Sequence, residues 1–182
     1  GKNRIFIETS GGVKKQEPRF TERKLYMEEQ GQSITVVPMQ PCHIEELERL
    51  EKECFSTPWS FDALVSELSN PLAVFRVAEI GGRVAGYVGM QHIVDEVYIC
   101  NIAVFPQFRR LGVATRLMET LDEYAKENDM ASISLEVRES NVSAQQFYDK
   151  FDFEVVGHRK NFYSNPTEDA LIMTKTYGGI FS

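Results

Sequence analysis

The spacing of apolar residues changes several times along the chain, and each change predicts a new element. A β-branched run over 34–37 predicts a short strand. Apolar residues then recur at helical spacing over 42–54 and over 61–68, which predicts two amphipathic helices. Ser60 stands directly before the second helix, where its hydroxyl can cap the first free amides.

Two β-rich runs, 73–79 and 84–93, follow these helices. Gly81-Gly82 lies between the runs and predicts a hairpin, because glycine accepts the positive φ of a tight turn. The next apolar run, 96–104, predicts a buried strand, and helical spacing over 112–128 predicts a longer helix.

The last third of the chain continues this alternation. A strand is predicted over 133–137, followed by a short helix that ends near Lys150. Runs 153–156 and 169–175 predict two final strands, separated by an aromatic loop over 161–166. The predicted order is βααβββαβαββ. Hairpins join antiparallel strands, whereas a strand–helix–strand unit joins parallel ones, so this order predicts a mixed α/β fold with helices on the faces of one sheet.

The loop after the predicted strand 96–104 has the composition of an anion site. Pro106 ends the strand, Arg109 and Arg110 add positive charge, and Gly112 gives a ligand close access to the backbone. The first amides of the following helix have no partner within it and lie at the positive end of its dipole. A phosphate-bearing ligand at this helix start is one interpretation, and an ordinary turn with two solvated arginines is the other.

Composition and charge narrow the class of protein. The 182 residues suffice for one domain with its own core, and a net charge of -7 argues against nonspecific nucleic-acid binding. No apolar run approaches the length of a membrane span. The three cysteines form no Cys-x-x-Cys pair, which favours reduced thiols and a cytoplasmic protein, and the cysteines and histidines lack metal-ligand spacing. We therefore expect no metal, nucleic acid or membrane partner, and a monomer or weak dimer.

Two motifs resemble those of a known family. The first, Arg109-x-x-Gly112-x-Ala114 behind Asn101-Ile-Ala-Val104, resembles the acetyl-CoA pyrophosphate loop of the GNAT acetyltransferases. The second comprises Leu135-Glu-Val-Arg-Glu-Ser-Asn141, Ala144, Phe147-Tyr148 and Phe151-Asp-Phe153. This second motif is similar to that of the RimI-type protein-alanine N-acetyltransferases in particular.

The resemblance covers residues 34–176 and implies a GNAT-like fold, in which two central strands splay apart around the pantetheine arm of acetyl-CoA. The strand before the loop would bond the pantetheine through its main chain, and the loop amides would face the pyrophosphate. The implied cofactor contacts are Ile102, Ala103, Val104, Arg109, Arg110, Leu111, Gly112, Val113, Ala114, Thr115 and Asn141.

The resemblance also implies two catalytic residues, Glu136 and Tyr148. Alternation points Glu136 away from Leu135 and Val137, and a charge inside a central strand is costly unless it is paired or used. Glu136 would be the general base, acting through water or with a raised pKa, and a solvated strand face is the alternative. Tyr148 would give a proton to the leaving thiolate, and a packed aromatic is its alternative role.

In related N-terminal acetyltransferases, loops matching Pro58-Trp59 and Tyr163 flank the acceptor groove, and a packed core residue is the alternative role of Trp59. The resemblance therefore implies direct transfer, in a ternary complex, from acetyl-CoA to the α-amine of a protein N-terminus. RimI-type enzymes act on the N-terminal alanine of a small-subunit ribosomal protein. A small amine, a polyamine or a protein lysine is the alternative acceptor, and a non-catalytic acyl-CoA-binding module is the alternative class.

The domain is expected to occupy residues 33–177. Residues 1–32 are polar and show no clean period, so we expect an N-terminal extension outside the core, and 178–182 form a short tail. A chain that begins at Met27 would contain the whole predicted domain. We therefore expect residues 1–26 to be dispensable for folding and acetyl transfer, and a regulatory or docking arm is the alternative.

Overall fold

A mixed β-sheet with helices on both faces forms the part of the chain that the computed structural model describes, namely the backbone of residues 4–6 and residues 33–178. The strands are β1 Arg4–Phe6, β2 Ile34–Pro38, β3 Ala73–Ile80, β4 Arg83–Ile93, β5 Glu96–Val104, β6 Ser132–Arg138, β7 Glu154–Tyr163 and β8 Glu168–Thr176. The helices are α1 Ile44–Cys54, α2 Phe61–Glu67, α3 Val113–Glu127 and α4 Val142–Asp149, with short 3-10 helices at Pro41–His43 and Pro106–Phe108.

The element order from β2 onward confirms the predicted βααβββαβαββ. The local signals for turns and caps act as expected. Ser60 Oγ accepts a hydrogen bond from Ala63 N at 3.2 Å at the start of α2. Gly81 and Gly82 form the turn between β3 and β4 with φ values of 56° and 73°.

The sheet has the order β2-β3-β4-β5-β6-β8-β7. Only β5 and β6 are parallel within this path, and α3 connects them, as a parallel pair requires. Their pairing covers Glu96 to Tyr98 of β5 and stops there, although β5 continues to Val104. The two central strands therefore part beyond Tyr98, which confirms the splay that the resemblance implied.

The N-terminal strand β1 lies in the gap between these central strands. Its residues Arg4–Phe6 pair in parallel with Asn101–Ala103 of β5. Because β4 pairs with the other edge of the same β5 residues, β1 occupies the edge that faces β6.

Two hydrophobic clusters cover the two faces of the sheet. Alternating residues of β5 divide between them, with Ile102 in one cluster and Ala103 in the other. Helix α3 packs on the first face and α1 on the second. None of the helices in the described residues combines the length and apolar character that a bilayer crossing requires.

The structure differs from the sequence predictions at two places. Strand β7 continues to Tyr163, so the predicted loop over 161–166 is wrong for its first half; Tyr163 pairs with Glu168 after a register shift that no local pattern indicates. The predicted apolar face of α2 is only partly buried. Leu64 is buried, whereas Phe61 is 41% exposed.

Candidate active site

Glu136 lies at the centre of the sheet, two residues beyond Ser134, the last β6 residue that pairs with β5. Its side chain is 1% exposed, so the carboxylate is buried rather than on a solvated strand face. Oε2 accepts a hydrogen bond from the Tyr98 hydroxyl, and Oε1 lies 3.1 Å from Arg159 Nη1. The charge is thus both hydrogen-bonded and paired, which offsets the cost of burying it.

Sequence reasoning missed Tyr98 and Arg159. Tyr98 reaches Glu136 from β5, and Arg159 reaches it from β7, which the sheet order places on the far side of β8. Their approach depends on how the strands are ordered, and no local pattern around either residue carries that information.

Tyr163 lies close to Glu136, and a second buried tyrosine, Tyr148, lies close enough to Tyr163 to interact with it electrostatically. The Tyr163 hydroxyl donates to the main-chain oxygen of Glu136 at 3.0 Å, and burial followed by the Glu136 charge raises the pKa of Tyr163. Tyr148 is fully buried beside Phe147 and Phe153. Burial first, and Tyr163 second, raise the pKa of Tyr148 well above its usual value, so this phenol stays protonated.

The hydroxyl of Tyr148 has no hydrogen-bond partner within the described residues. Buried hydroxyl groups are nearly always satisfied, so an exception indicates a missing partner. A protonated phenol with a free hydrogen is suited to donate to a ligand atom that enters the gap between β5 and β6.

The loop before α3 turns through two left-handed residues, Arg110 at φ 66° and Gly112 at φ 89°. A Cβ on Gly112 would meet nothing closer than Ile34 Cδ1 at 4.0 Å, so conformation rather than crowding favours glycine there. Gly112 is the N-cap of α3 and supplies no side-chain cap. The first amides of α3, at Val113 to Thr115, thus keep their donors for an anion.

The two arginines of this loop differ in their surroundings. Arg109 turns back toward the strand, where Nε donates to Val104 O at 3.2 Å and Nη2 lies 3.7 Å from Cys54 Sγ. Arg110 is exposed. Arg109 therefore fixes the loop to the end of β5, and Arg110 is the guanidinium on the solvent side.

Three further residues that the resemblance assigns to the cofactor have side chains that are buried or bonded within the protein. Leu111 and Val113 have buried side chains, so only their main chains are available to a ligand. Asn141 caps α4, because its Oδ1 accepts hydrogen bonds from Ala144 N and Ser143 Oγ, each at 3.1 Å. The cap fixes the start of the helix that carries Tyr148.

The predicted acceptor residues lie in different kinds of structure. Pro58 is exposed and Trp59 half-buried in the segment between α1 and α2, where the Trp59 ring packs on Phe75 with centroids 5.9 Å apart. Tyr163 lies at the end of strand β7 rather than on a loop, and only 4% of it is exposed.

Two features bear on other kinds of chemistry. Burial raises the pKa of Cys54 to about 11 and that of Cys100 to about 12, so neither thiol is a ready nucleophile.

At the surface, the ligand atoms of Glu139, His158 and Asp169 lie within 4.8 Å of one another. Asn161 N donates to Asp169 Oδ1 at 2.7 Å. The expectation of no metal stays a prediction.

Three features together fit acetyl-CoA. The edge of β5 beyond Tyr98 is not paired with β6. Within the part of the chain that the structure describes, the first amides of α3 have no side-chain cap and the Tyr148 hydroxyl has no hydrogen-bond partner. Asn101–Ala103 of the same edge pair with β1 in this structure.

Comparisons with known proteins agree with this geometry. Residues 44–153 match the family described as the acetyltransferase (GNAT) family. A Bacillus subtilis (strain 168) protein, provisionally named ribosomal protein bS18-alanine N-acetyltransferase, is 40% identical over 134 residues, or 73% of this chain and 89% of that protein. The ribosomal protein bS18-alanine N-acetyltransferase of Haemophilus influenzae is 32% identical over 138 residues, or 74% and 93%.

A solved structure shows the same relationship. The ribosomal-protein-S18-alanine N-acetyltransferase from Escherichia coli superposes with a TM-score of 0.75 at 26% identity, covering 82% of this chain and 99% of that one. The fold is that of an acetyltransferase. The chain belongs to the GNAT acetyltransferase family, and its resemblance to the RimI-type members is confirmed.

Proposed function

We propose that the chain transfers the acetyl group of acetyl-CoA to the α-amine of a protein N-terminus, with the N-terminal alanine of ribosomal protein S18 as acceptor. The observation that carries this proposal is the buried Glu136 carboxylate, held beside the point where β5 and β6 part. The names of the similar proteins from B. subtilis, H. influenzae and E. coli support the choice of acceptor.

Glu136 takes the proton of the attacking amine, directly or through one water. An α-amine has a pKa of about 8, against about 10.4 for a lysine side chain, so a terminal amine gives up its proton more readily near neutral pH. A carboxylate is a weak base, so it removes a proton more readily from an acceptor amine whose pKa is low.

Acetyl-CoA supplies a thioester carbonyl that an amine can attack. Main-chain N–H groups at 102–104 of β5 stabilise the negative charge that develops on the carbonyl oxygen. Tyr148 donates its hydroxyl hydrogen to the departing sulfur, and the first amides of α3 hold the pyrophosphate. One C–N bond forms as one C–S bond breaks, so no covalent enzyme intermediate is needed.

The test measures CoA release from acetyl-CoA with three acceptors. The first is a peptide with the N-terminal sequence of S18, the second is that peptide with its N-terminus blocked and a lysine kept, and the third is spermidine. We expect turnover with the first acceptor only. A Glu136→Gln variant, equal in shape but not basic, should lose about 100-fold or more in kcat.

Other outcomes would redirect the proposal. Turnover with spermidine alone would keep the enzyme class but discard the protein N-terminus. Turnover with the blocked peptide would indicate a lysine acceptor. Binding of acetyl-CoA without turnover of any amine would support the non-catalytic module instead.

A further inference from the structure

Glu51 is a second fully buried carboxylate, on the opposite side of the sheet from α3. It lies on α1 among the residues of that helix that face the core. Its exposed fraction is 0%, the same as that of Leu47 and Leu50. A core-facing helix position that holds a carboxylate in place of an apolar residue is costly unless its hydrogen bonds are made.

Donors from three separate segments bond this carboxylate. Oε1 accepts from Asn101 Nδ2 at 3.0 Å and from the Tyr87 hydroxyl, and Oε2 accepts from the main-chain nitrogen of Trp59 at 2.8 Å. Asn101 Nδ2 also donates to the Tyr87 hydroxyl at 3.0 Å. Oε1 therefore binds side chains of the sheet, and Oε2 binds the main chain of the segment between α1 and α2.

The partners of the two Glu51 oxygens belong to two different parts of the proposed active site. Asn101 lies on β5 directly before Ile102, at the start of the main-chain stretch assigned to the cofactor. Trp59 belongs to the segment between α1 and α2 that is assigned to the acceptor, and its ring packs on Phe75. A single buried side chain therefore ties the acceptor segment to the cofactor strand.

We propose that Glu51 is a positioning residue for the acceptor: it holds the Pro58-Trp59 segment in a fixed place relative to β5. The role of that segment in binding the acceptor rests on the proposed function above. The positioning itself is a property of the fold. Glu51 touches neither substrate, and its effect reaches the reaction through Trp59.

A Glu51→Gln variant tests the proposal because it keeps the shape of the side chain and replaces one acceptor oxygen with an NH2 group. The variant removes the negative charge that strengthens the bond from Trp59 N–H, and its one remaining oxygen can serve either Trp59 or the Asn101–Tyr87 pair. We expect the KM for the S18 peptide to rise about tenfold, the loss of one charge-assisted hydrogen bond, with kcat and the KM for acetyl-CoA within about twofold of the parent.

Trp59 provides a readout that does not need activity. It is the only tryptophan of the chain, so intrinsic emission reports its environment directly. We expect Glu51→Gln to shift the emission to longer wavelength and to increase quenching by acrylamide. If the variant does not fold, Glu51→Asp replaces it; this variant keeps the charge but is one methylene too short to reach both partners.

Tyr87→Phe is the matched control. It removes a donor to the same carboxylate and keeps the ring that stacks on Phe75, but leaves the bond to Trp59 intact. We expect it to lower stability without moving Trp59 emission or the peptide KM.

Equal effects of Glu51→Gln and Tyr87→Phe on stability, with Trp59 emission unchanged in both, would overturn the proposal and leave Glu51 a structural residue. A parent protein that acetylates no N-terminal peptide would refute the proposed function instead. In that case the emission comparison would still decide whether Glu51 positions the segment.

Discussion

Arg159 Nη1 lies 3.1 Å from Glu136 Oε1, so a half-exposed cation covers a fully buried carboxylate. The Arg159 side chain is 52% exposed, whereas the Glu136 side chain is 1% exposed. The guanidinium also lies 5.5 Å from the centroid of the Phe162 ring, which limits its freedom. A neighbouring cation stabilises negative charge, so Arg159 offsets part of the cost of burying the Glu136 carboxylate.

Replacing Arg159 with alanine should lower kcat/KM for the acceptor peptide about fivefold, since a partly exposed ion pair is worth about 1 kcal/mol at most. Arg159→Lys should retain most of the parent activity. High salt should lower the kcat/KM of the parent toward that of the alanine variant, because mobile ions screen an exposed cation. The kcat/KM of the alanine variant should not change with salt. Parent-like activity of Arg159→Ala at low salt would show that the guanidinium only covers the site.

Removing the Tyr148 hydroxyl should lower activity and spare stability. Tyr148→Phe deletes a buried hydroxyl that has no partner within the described residues, so we expect the melting temperature to stay equal or rise. The same variant should lower kcat about 100-fold. Burial first, and Tyr163 second, raise the pKa of Tyr148, so the phenol stays protonated and the loss in kcat should be equal at neutral and moderately alkaline pH.

Tyr163→Phe is the control for this prediction. Its hydroxyl donates to Glu136 O at 3.0 Å, so its removal leaves a buried carbonyl without that donor and should cost about 1 kcal/mol of unfolding free energy. If Tyr148→Phe lost as much stability as Tyr163→Phe, the Tyr148 hydroxyl would have a structural partner, and its role as a proton donor would lose its support.

Asp122 should make stability depend on pH at the end of the molecule where α3 meets β8. Burial by itself raises the pKa of Asp122. Hydrogen bonds from Lys126, Lys175 and Tyr177 lower this pKa by more, to about 2. The folded state therefore binds a proton more weakly than the unfolded chain does, whose carboxyl pKa is about 3.9. The stabilisation is complete above that value and is lost as the pH falls toward 2.

Asp122→Asn should accordingly lower the free energy of unfolding by about 2 kcal/mol at neutral pH and by about half as much near pH 3, measured by urea unfolding. Glu123→Gln is the matched control on the same helix. Glu123 pairs with Arg116 at the exposed surface, so its loss should change stability by less than about 0.5 kcal/mol. A difference for Asp122→Asn that stayed constant with pH would contradict the linkage.

The positions of most elements were predictable because each carries its own signal. Two glycines form the turn between β3 and β4, α2 begins at a capping serine, and α3 follows a glycine with positive φ. The family resemblance added the splay between β5 and β6, which hydrophobic periodicity alone does not encode. Strand β7 was predicted too short because its last residues pair only after a register shift.

The site residues divide in the same way. Glu136 was predictable because a charge within an apolar strand stands out. Tyr98 and Arg159 were not, since each meets Glu136 across strands that are distant in sequence. Glu51 could not be predicted either, because α1 is rich in glutamate and a further glutamate there predicts a solvent-exposed side chain. Only the fold shows that this position faces the core.

Strand β1 lies on the edge of β5 that the family resemblance assigns to acetyl-CoA. Arg4–Phe6 pair with Asn101–Ala103 on the side that faces β6. The N–H and C=O groups of one strand edge cannot serve two partners at once. The main-chain contacts implied for the pantetheine include Ile102 and Ala103, so a pantetheine bound in that way and β1 would exclude each other.

Deleting residues 1–26 should therefore keep folding and acetyl transfer, as the sequence predicts, and lower the apparent KM for acetyl-CoA. We expect a change of about fivefold, the effect of one net hydrogen bond of about 1 kcal/mol. Ile5→Pro in the full chain should have the same effect, because proline has no amide hydrogen for the ladder and Ile5 is the central residue of β1.

Val13→Pro, the same substitution outside β1, is the control and should leave the KM for acetyl-CoA unchanged. Calorimetric binding of CoA to the parent and the deletion variant measures the competition without turnover, and the deletion variant should bind more tightly. A deletion variant that bound CoA more weakly, or that failed to fold, would show that β1 supports the cofactor strand. Residues 1–26 would then belong to the catalytic domain rather than to an extension of it.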